Sequence, residues 1–201
     1  MKTLTHILSL TALLLALPAM NASAQSATPL VRYAFSSAEQ PTAPTATAPG
    51  LEASKLGFGK TIAEAIARNP ADANFTPEGE FSIRSNVLPD GVGADGEHYI
   101  EFTLKAPAGK RLAITEVSVA GRRSGNQPGL YAYPRIKSSF DDYTAVIALG
   151  QIKSTDSVTL KHAINGLTVE GSVTFRLYLP AINRGSVRVI LSEISLSGQL
   201  L

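Results

Sequence analysis

The chain has 201 residues, a formal net charge of +2, 44% hydrophobic residues, no cysteine and no tryptophan. A charge balance this close to neutral makes no demand for nucleic acid or an acidic polymer as a partner. The missing cysteines exclude thiol catalysis, cysteine-ligated zinc and iron–sulfur clusters, and leave stability to packing.

Residues 1–24 carry Lys2, an apolar run over 7–17, the helix breaker Pro18 and the small-residue site Ala22-Ser-Ala24. This is the pattern of a secretory signal peptide, with cleavage near Ala24, before Gln25. The apolar run is too short for an anchor, and no later segment approaches the roughly 18 apolar residues of a spanning helix, so no membrane span is expected. Cleavage leaves 201 less 24, or 177 residues, the size of one domain with its own core, over 25–201. The product is expected to be secreted or periplasmic and, with Met1 and Met20 gone, free of sulfur.

The first strand is expected over 30–35, where Val31, Tyr33 and Phe35 share one parity, and it is placed beside the last strand, over 187–200. A Ser/Ala/Pro/Thr-dominated stretch over 36–50 follows and reads as an extended excursion. Ile62, Ala63, Ile66 and Ala67 at helical spacing, with Pro70 as a stop, predict one or two turns of helix over 61–69. Phe81-Ser-Ile-Arg84 reads as a short strand, and 88–97 as a Gly/Asp loop.

From Tyr99 onward the chain alternates apolar and polar residues. Ile100, Phe102 and Leu104 oppose Glu101, Thr103 and Lys105, and the same period holds for Val173, Phe175, Leu177 and Leu179 and for Val187, Val189 and Leu191. Period two makes these half-buried strands. Turn residues separate them, among them Asn165-Gly166, Glu170-Gly171 and Asn183-Arg-Gly185. The fold class is therefore all-β: an antiparallel two-sheet β-sandwich, jelly-roll-like, with one short helix. Parity slips between Ile114 and Val117, and again after Leu191. Since a slip turns the apolar set to the wrong face unless a bulge absorbs it, irregular residues are predicted at Thr115-Glu116 and Ser192-Glu193.

Gly50-Leu-Glu-Ala-Ser-Lys-Leu-Gly-Phe-Gly59, Tyr99-Ile-Glu-Phe-Thr-Leu-Lys-Ala-Pro-Ala-Gly109, Arg122-Arg-Ser-Gly125, Lys137-Ser-Ser-Phe-Asp-Asp-Tyr143 and Val173-Thr-Phe-Arg-Leu-Tyr178 follow one another in order. Over about residues 30 to 200 the chain resembles uncharacterised secreted bacterial jelly-roll domains of the kind found in PEP-CTERM-type exported proteins. The resemblance implies a compact exported β-sandwich, related in architecture to many carbohydrate-binding modules, and architecture does not transfer function. Ser192-Glu193 stands where the group frequently has Asp-Asn, and no Pro-Glu-Pro motif or basic tail precedes Leu201, so sorting by that tail is not expected.

The segment from Lys110 to Lys137 holds six basic residues against Glu116 alone. Tyr131 and Tyr133 share a strand face, and two rings on one face stack on sugars while arginines donate to hydroxyls, carboxylates or sulfates. Arg122, Arg123, Tyr131, Tyr133 and Arg135 are the candidate ligand-binding residues. The plainer account of them is rim packing and solvated loop charge.

Other constellations carry less chemistry. Gly59-Lys60-Thr61 lacks the upstream glycine of a phosphate loop, position 54 being serine, and reads as a helix start. His98 and His162 have no metal-ligand spacing, and no nucleophile elbow is present. Asp90, Asp95, Glu97 and Glu101, or Asp141-Asp142, offer the oxygen ligands of a structural calcium, without the spacing of an EF-hand. No cofactor is expected beyond that candidate ion, and no catalytic residue is assigned. The reading is an exported non-enzymatic binding or structural module at the cell exterior whose partner is a polysaccharide or another cell-surface component. A self-associating matrix or adhesion protein is the first alternative and a small secreted hydrolase the second.

Overall fold

A computed structural model describes residues 29–35, 43–88, 96–125, 131–182, 185 and 187–201, with Ile182 described for its backbone only. The leader over 1–24, part of the excursion, and Asp90 and Asp95 lie outside the described residues. In chain order the elements begin β1 (Pro29–Ala34), β2 (Ala46–Thr47), β3 (Glu52–Ala53), β4 (Gly57–Phe58), α1 (Lys60–Arg68), β5 (Ala73–Phe75), β6 (Phe81–Arg84) and β7 (Tyr99–Lys105). They continue β8 (Arg111–Arg123), β9 (Tyr131–Ala132), β10 (Arg135–Ser138), β11 (Ile147–Ala148), β12 (Val158–Glu170), β13 (Ser172–Tyr178), β14 (Ala181–Ile182) and β15 (Arg188–Leu200).

The fold is an antiparallel two-sheet β-sandwich with one helix. The first sheet runs β12-β8-β15-β1-β2, with β6 beside β15 and β5 beside β6; the second runs β11-β10-β13-β7-β3, with β4 also on β7. The short β9 and β14 pair with each other. β1 lies against β15, Tyr33 opposite Ile194, the expected pairing of first and last strands. The core sits between the sheets because every long strand turns one parity inward. Val117, Val119, Leu191, Ile194 and Leu196 from the first sheet meet Ile100, Phe102, Leu104, Phe175 and Leu177 from the second.

Both predicted irregularities are present. On β15, Ser192 falls out of register between Leu191, opposite Gly121, and Glu193, opposite Ala120. On β8, Thr115 is skipped between Ser197↔Glu116 and Gly198↔Ile114. The edge strand β12 bulges at the same level, with register lost between Ala163 and Leu167. Asn165-Gly166, read from sequence as a strand separator, thus lies inside one 13-residue strand. Gly166 takes φ +79 there, a value that a bulge uses as readily as a hairpin does.

Tyr33 packs in the core between the sheets, its ring 5.1 Å from Phe102. Its hydroxyl donates to the Ser54 carbonyl at 2.7 Å, so the buried polar tip is satisfied. Burial pushes this phenol far above its usual range. A folded pKa raised above the unfolded value gives stability that is complete below about pH 10 and is lost as pH rises beyond it. Alkaline unfolding monitored by circular dichroism is expected to begin above pH 10 and to move when Tyr33 becomes Phe; an onset unchanged in Tyr33→Phe would count against this.

Candidate functional site

The outer face of the second sheet gathers the polar parity of three neighbouring strands. On β7, Tyr99, Glu101 and Thr103 alternate with buried Ile100, Phe102 and Leu104; on β13, Thr174, Arg176 and Tyr178 alternate with Val173, Phe175 and Leu177. Register sets Tyr178 opposite both Tyr99 and Arg135, and Arg176 opposite both Glu101 and Lys137. Residues directly opposite on one face are in contact range. Two rows of side chains therefore cross the sheet, Arg135-Tyr178-Tyr99 and Lys137-Arg176-Glu101.

These rows interlock. The Tyr99 and Tyr178 rings meet edge-on with centroids 5.7 Å apart, and Lys137 Nζ lies 5.9 Å from the Tyr178 centroid. Arg176 Cζ lies 4.3 Å from the ring centroid of Tyr99 and 4.3 Å from that of Tyr143, while its Nε donates to Glu101 Oε2 at 3.0 Å. A guanidinium within 6 Å of two ring centroids gains cation–π attraction from each. Burial works against its charge, but the Glu101 hydrogen bond and the neighbouring tyrosines keep Arg176 above its ordinary pKa. Tyr99 is pushed up by burial, against the Arg176 charge, so its phenol stays neutral at physiological pH.

Tyr143 reaches Arg176 by an unusual backbone. A 3-10 turn over Ser139–Asp141 leaves β10, and Asp142 and Tyr143 then both take left-handed φ, 53 and 60. Such values are uncommon for residues with a side chain, and rarer for bulky ones. The bend is closed locally. Tyr143 N donates to the Ser138 carbonyl at 2.8 Å, Thr144 Oγ1 to the Asp141 carbonyl at 2.7 Å, and Ala145 N to Asp141 Oδ2 at 2.8 Å. Asp141 is thus engaged in holding the bend, and Phe140 and Val146 flank it with 58% and 48% exposure.

The aromatic face extends along the adjoining strand. Tyr131 and Tyr133 are half-buried while Ala132 between them is in the core and bridges Ile152. The two rings stand side by side, centroids 6.5 Å apart at 58°. Tyr133 N donates to the Pro180 carbonyl, which carries the β10–β13 pairing on into β9–β14. Tyr131, Tyr133, Arg135 and Lys137 follow one parity over six steps, about 20 Å of extended chain. Tyr99, Tyr131, Tyr133 and Tyr143, all half-buried, and the buried Tyr178 thus lie along β7, β13, the Tyr143 loop and the β9–β10 run.

The five sequence candidates do not form one patch. Arg122 lies on the other sheet, where its Nε and Nη2 hold Glu80 at 3.1 and 2.6 Å; that hydrogen bond raises its pKa. Arg123 closes β8, its Nε donating to the Lys153 carbonyl at 2.7 Å. Tyr131 and Tyr133 do come together, and Arg135 follows them on the same parity but is buried. Tyr99, Tyr143, Arg176 and Tyr178 escaped sequence reasoning, although the shared parity of Arg176 and Tyr178 in β13 was a readable sign.

A separate open cleft of about 440 Å³ lies beside α1, lined by Thr61, Glu64, Arg68, Asp72 and His98 among others. Its two carboxylates are in ion pairs, Glu64 with Arg68 and Asp72 with Arg84, each at 3.5 Å. His162 is exposed on β12. Gly59 begins α1 where a Cβ would overlap the Glu97 carbonyl, so its place is set by close approach of backbone. Among the described residues no three His, Asp or Glu side chains are grouped to hold a metal ion, and no helix is long and apolar enough to cross a membrane.

No family model matches the chain, and no curated protein matches it. Among solved structures, the C-terminal domain of a chitobiase from Bacteroides fragilis is 13% identical, covering 76% of this chain and 96% of that one, with a TM-score of 0.35. A family 29 carbohydrate-binding module from Piromyces equi is 11% identical, covering 75% of this chain and 83% of that one, with a TM-score of 0.37. Likeness this distant says nothing about what the present chain binds, and the chemistry of the Tyr–Arg face has to be read from its own residues.

Proposed function

We propose that the chain is an exported, non-catalytic recognition module that holds a glycan on the outer face of its second sheet. The observation that carries this reading is the gathering of the half-buried Tyr131, Tyr133, Tyr99 and Tyr143 with Arg176 and Lys137 along neighbouring strands, beside the buried Tyr178 and Arg135. Tyrosine rings offer apolar faces to the C–H side of a sugar, and the basic side chains offer donors to its oxygens. The stripe from Tyr131 to Lys137, roughly 20 Å long, gives room for several sugar units. No chemistry is required of it. The hydrolase reading has the α1 cleft as its candidate site, and the carboxylates there are occupied by arginines.

In affinity electrophoresis through polysaccharide gels, Tyr131→Ala and Tyr133→Ala are expected to weaken retardation by about tenfold each, the scale of one lost ring contact. Arg122→Gln, on the opposite sheet, is expected to leave retardation unchanged and to cost at most about 1 kcal/mol of stability. Retardation by no polysaccharide, or equal loss in all three variants, would remove the proposal.

A second reading, self-association, draws on β12, a 13-residue strand at the edge of the first sheet, paired on one side only by β8 and mostly exposed. Edge strands of this kind invite pairing with another chain. A sedimentation coefficient independent of concentration would argue against it.

A further inference from the structure

The loop that carries Tyr143 has no structural need to place a tyrosine at left-handed φ; glycine or asparagine would turn the chain at less cost. What the tyrosine adds is its ring, set 4.3 Å from Arg176 opposite the ring of Tyr99. Backbone conformations of this sort cost of order 1–3 kcal/mol each, and they concentrate at ligand clamps. The result is a guanidinium held in one orientation by two rings and by Glu101. It is still open to a ligand, with 29% of the side chain exposed.

The two rows themselves are net positive, with Glu97 near Tyr99 and Asp141 and Asp142 beside Tyr143 as further acids. Arg135, Lys137 and Arg176 stand in the two crossing rows against Glu101 alone. Farther along β7, Lys105 is neutralised by Glu52 at 3.0 Å. A guanidinium carries five N–H donors. Nε serves Glu101. A planar fork fixed in place suits a planar carboxylate better than a neutral hydroxyl.

Resting on the glycan reading of this same face, we propose that Arg176, framed by Tyr99 and Tyr143, selects an acidic polysaccharide by binding the carboxylate of a uronate unit whose neighbouring rings lie along Tyr133 and Tyr131. Arg176 is the group that touches the ligand. Tyr143 is a positioning residue, and its strained backbone is the cost of holding the fork ready before the ligand arrives. Preorganisation of this kind raises affinity by lowering what must be ordered on binding.

The test uses the whole chain and defined polymers: polygalacturonate, alginate and hyaluronate, with methyl-esterified pectin, hydroxyethylcellulose and dextran sulfate for comparison. Polygalacturonate is expected to bind at least about tenfold more tightly than its methyl ester, the scale of one charge-assisted hydrogen-bonded contact. The difference is expected to shrink as salt is raised. Arg176→Gln should abolish the preference for acid over ester, and Arg176→Lys should restore little of it because an ammonium lacks the fork. Tyr143→Gly should reduce the preference while leaving the unfolding midpoint equal or higher, an outcome that a merely structural tyrosine would not give. Equal binding to acid and ester, binding to neutral polymer alone, or binding to dextran sulfate alone would overturn the uronate inference and leave the glycan reading standing. Absence of binding to all six polymers would remove both. The acid-to-ester comparison is made on the unaltered protein, so it decides the matter even where a variant fails to fold.

Discussion

Phe81→Ala is expected to lower the free energy of unfolding by about 3–5 kcal/mol, the range for deleting a fully buried aromatic ring. Phe81 is 0% exposed and stands among three other phenylalanines, its centroid 6.1 Å from Phe35, 5.4 Å from Phe58 and 5.3 Å from Phe75. Those rings come from both sheets: Phe58 lies on β4, which pairs with β7, while Phe75 and Phe81 lie on β5 and β6 beside β15. Removing the central ring leaves a cavity that three rigid neighbours cannot fill, and the cost of the cavity adds to the lost burial. Urea unfolding followed by tyrosine fluorescence would measure it. A loss under about 1 kcal/mol would mean that the cluster relaxes freely and that the sheets are not closed at this end by Phe81.

Gly198→Ala is the second large effect, and it arises from crowding rather than from loss. Gly198 lies in β15 opposite Ile114, next to the skipped Thr115 of β8. A Cβ there would overlap the Ala113 carbonyl and come within 2.9 Å of Leu30 Cδ1. Backbone cannot yield as a side chain does, so β15 would have to move off β8 or β1. A cost of about 2–3 kcal/mol, or failure to accumulate folded protein, is expected from overpacking in a close-packed interior. Gly109→Ala provides the comparison. Nothing lies within 4 Å of its Cβ position, and only its φ of +75 opposes a side chain, a penalty of about 1–2 kcal/mol. Equal midpoints for the two variants would show that the close approach at Gly198 has been overstated.

Both effects bear on the face proposed for recognition, because that face is the reverse side of the core. Phe102 and Phe175 stack at 5.6 Å beneath the strands whose other parity carries Tyr99, Glu101 and Arg176. Inward and outward residues of β7 and β13 are one chain apart, so rigid packing below fixes side-chain spacing above. Sites built on strands hold geometry more tightly than sites on loops. The Tyr143 loop is the exception, and the hydrogen bonds it donates to Ser138 and Asp141 supply the missing rigidity.

How much of this could be read from the residues alone depends on which residues must meet. Alternation is local, so Ile100, Phe102 and Leu104 declare their strand without help. The bulges at Thr115 and Ser192 were legible for the same reason, since a shift of parity has no other simple cause. Asn165-Gly166 was misread because the turn residues of a hairpin and the positive φ of a bulge have the same chemistry. Tyr131 and Tyr133 are legible by parity, whereas Arg122, Arg123 and Arg135 are grouped with them on nearness in sequence. The partner of Arg122, Glu80, lies 42 positions away, across a pairing that no local pattern predicts. The Arg176 stack needs Tyr99 from one strand and Tyr143 from a loop whose backbone no tyrosine would advertise. Contacts of that kind are set by register between distant strands.

The most direct test of recognition at the second sheet is a backbone and side-chain NMR titration of the isotopically labelled chain with an oligogalacturonate. The account predicts saturable shifts at Tyr131, Tyr133, Arg135, Lys137, Tyr143 and Arg176, with Arg122, Thr115 and Ser195 on the other sheet unmoved. Shifts gathered instead around Glu64, Asp72 and His98, or spread over the first sheet while the tyrosines stay silent, would contradict it.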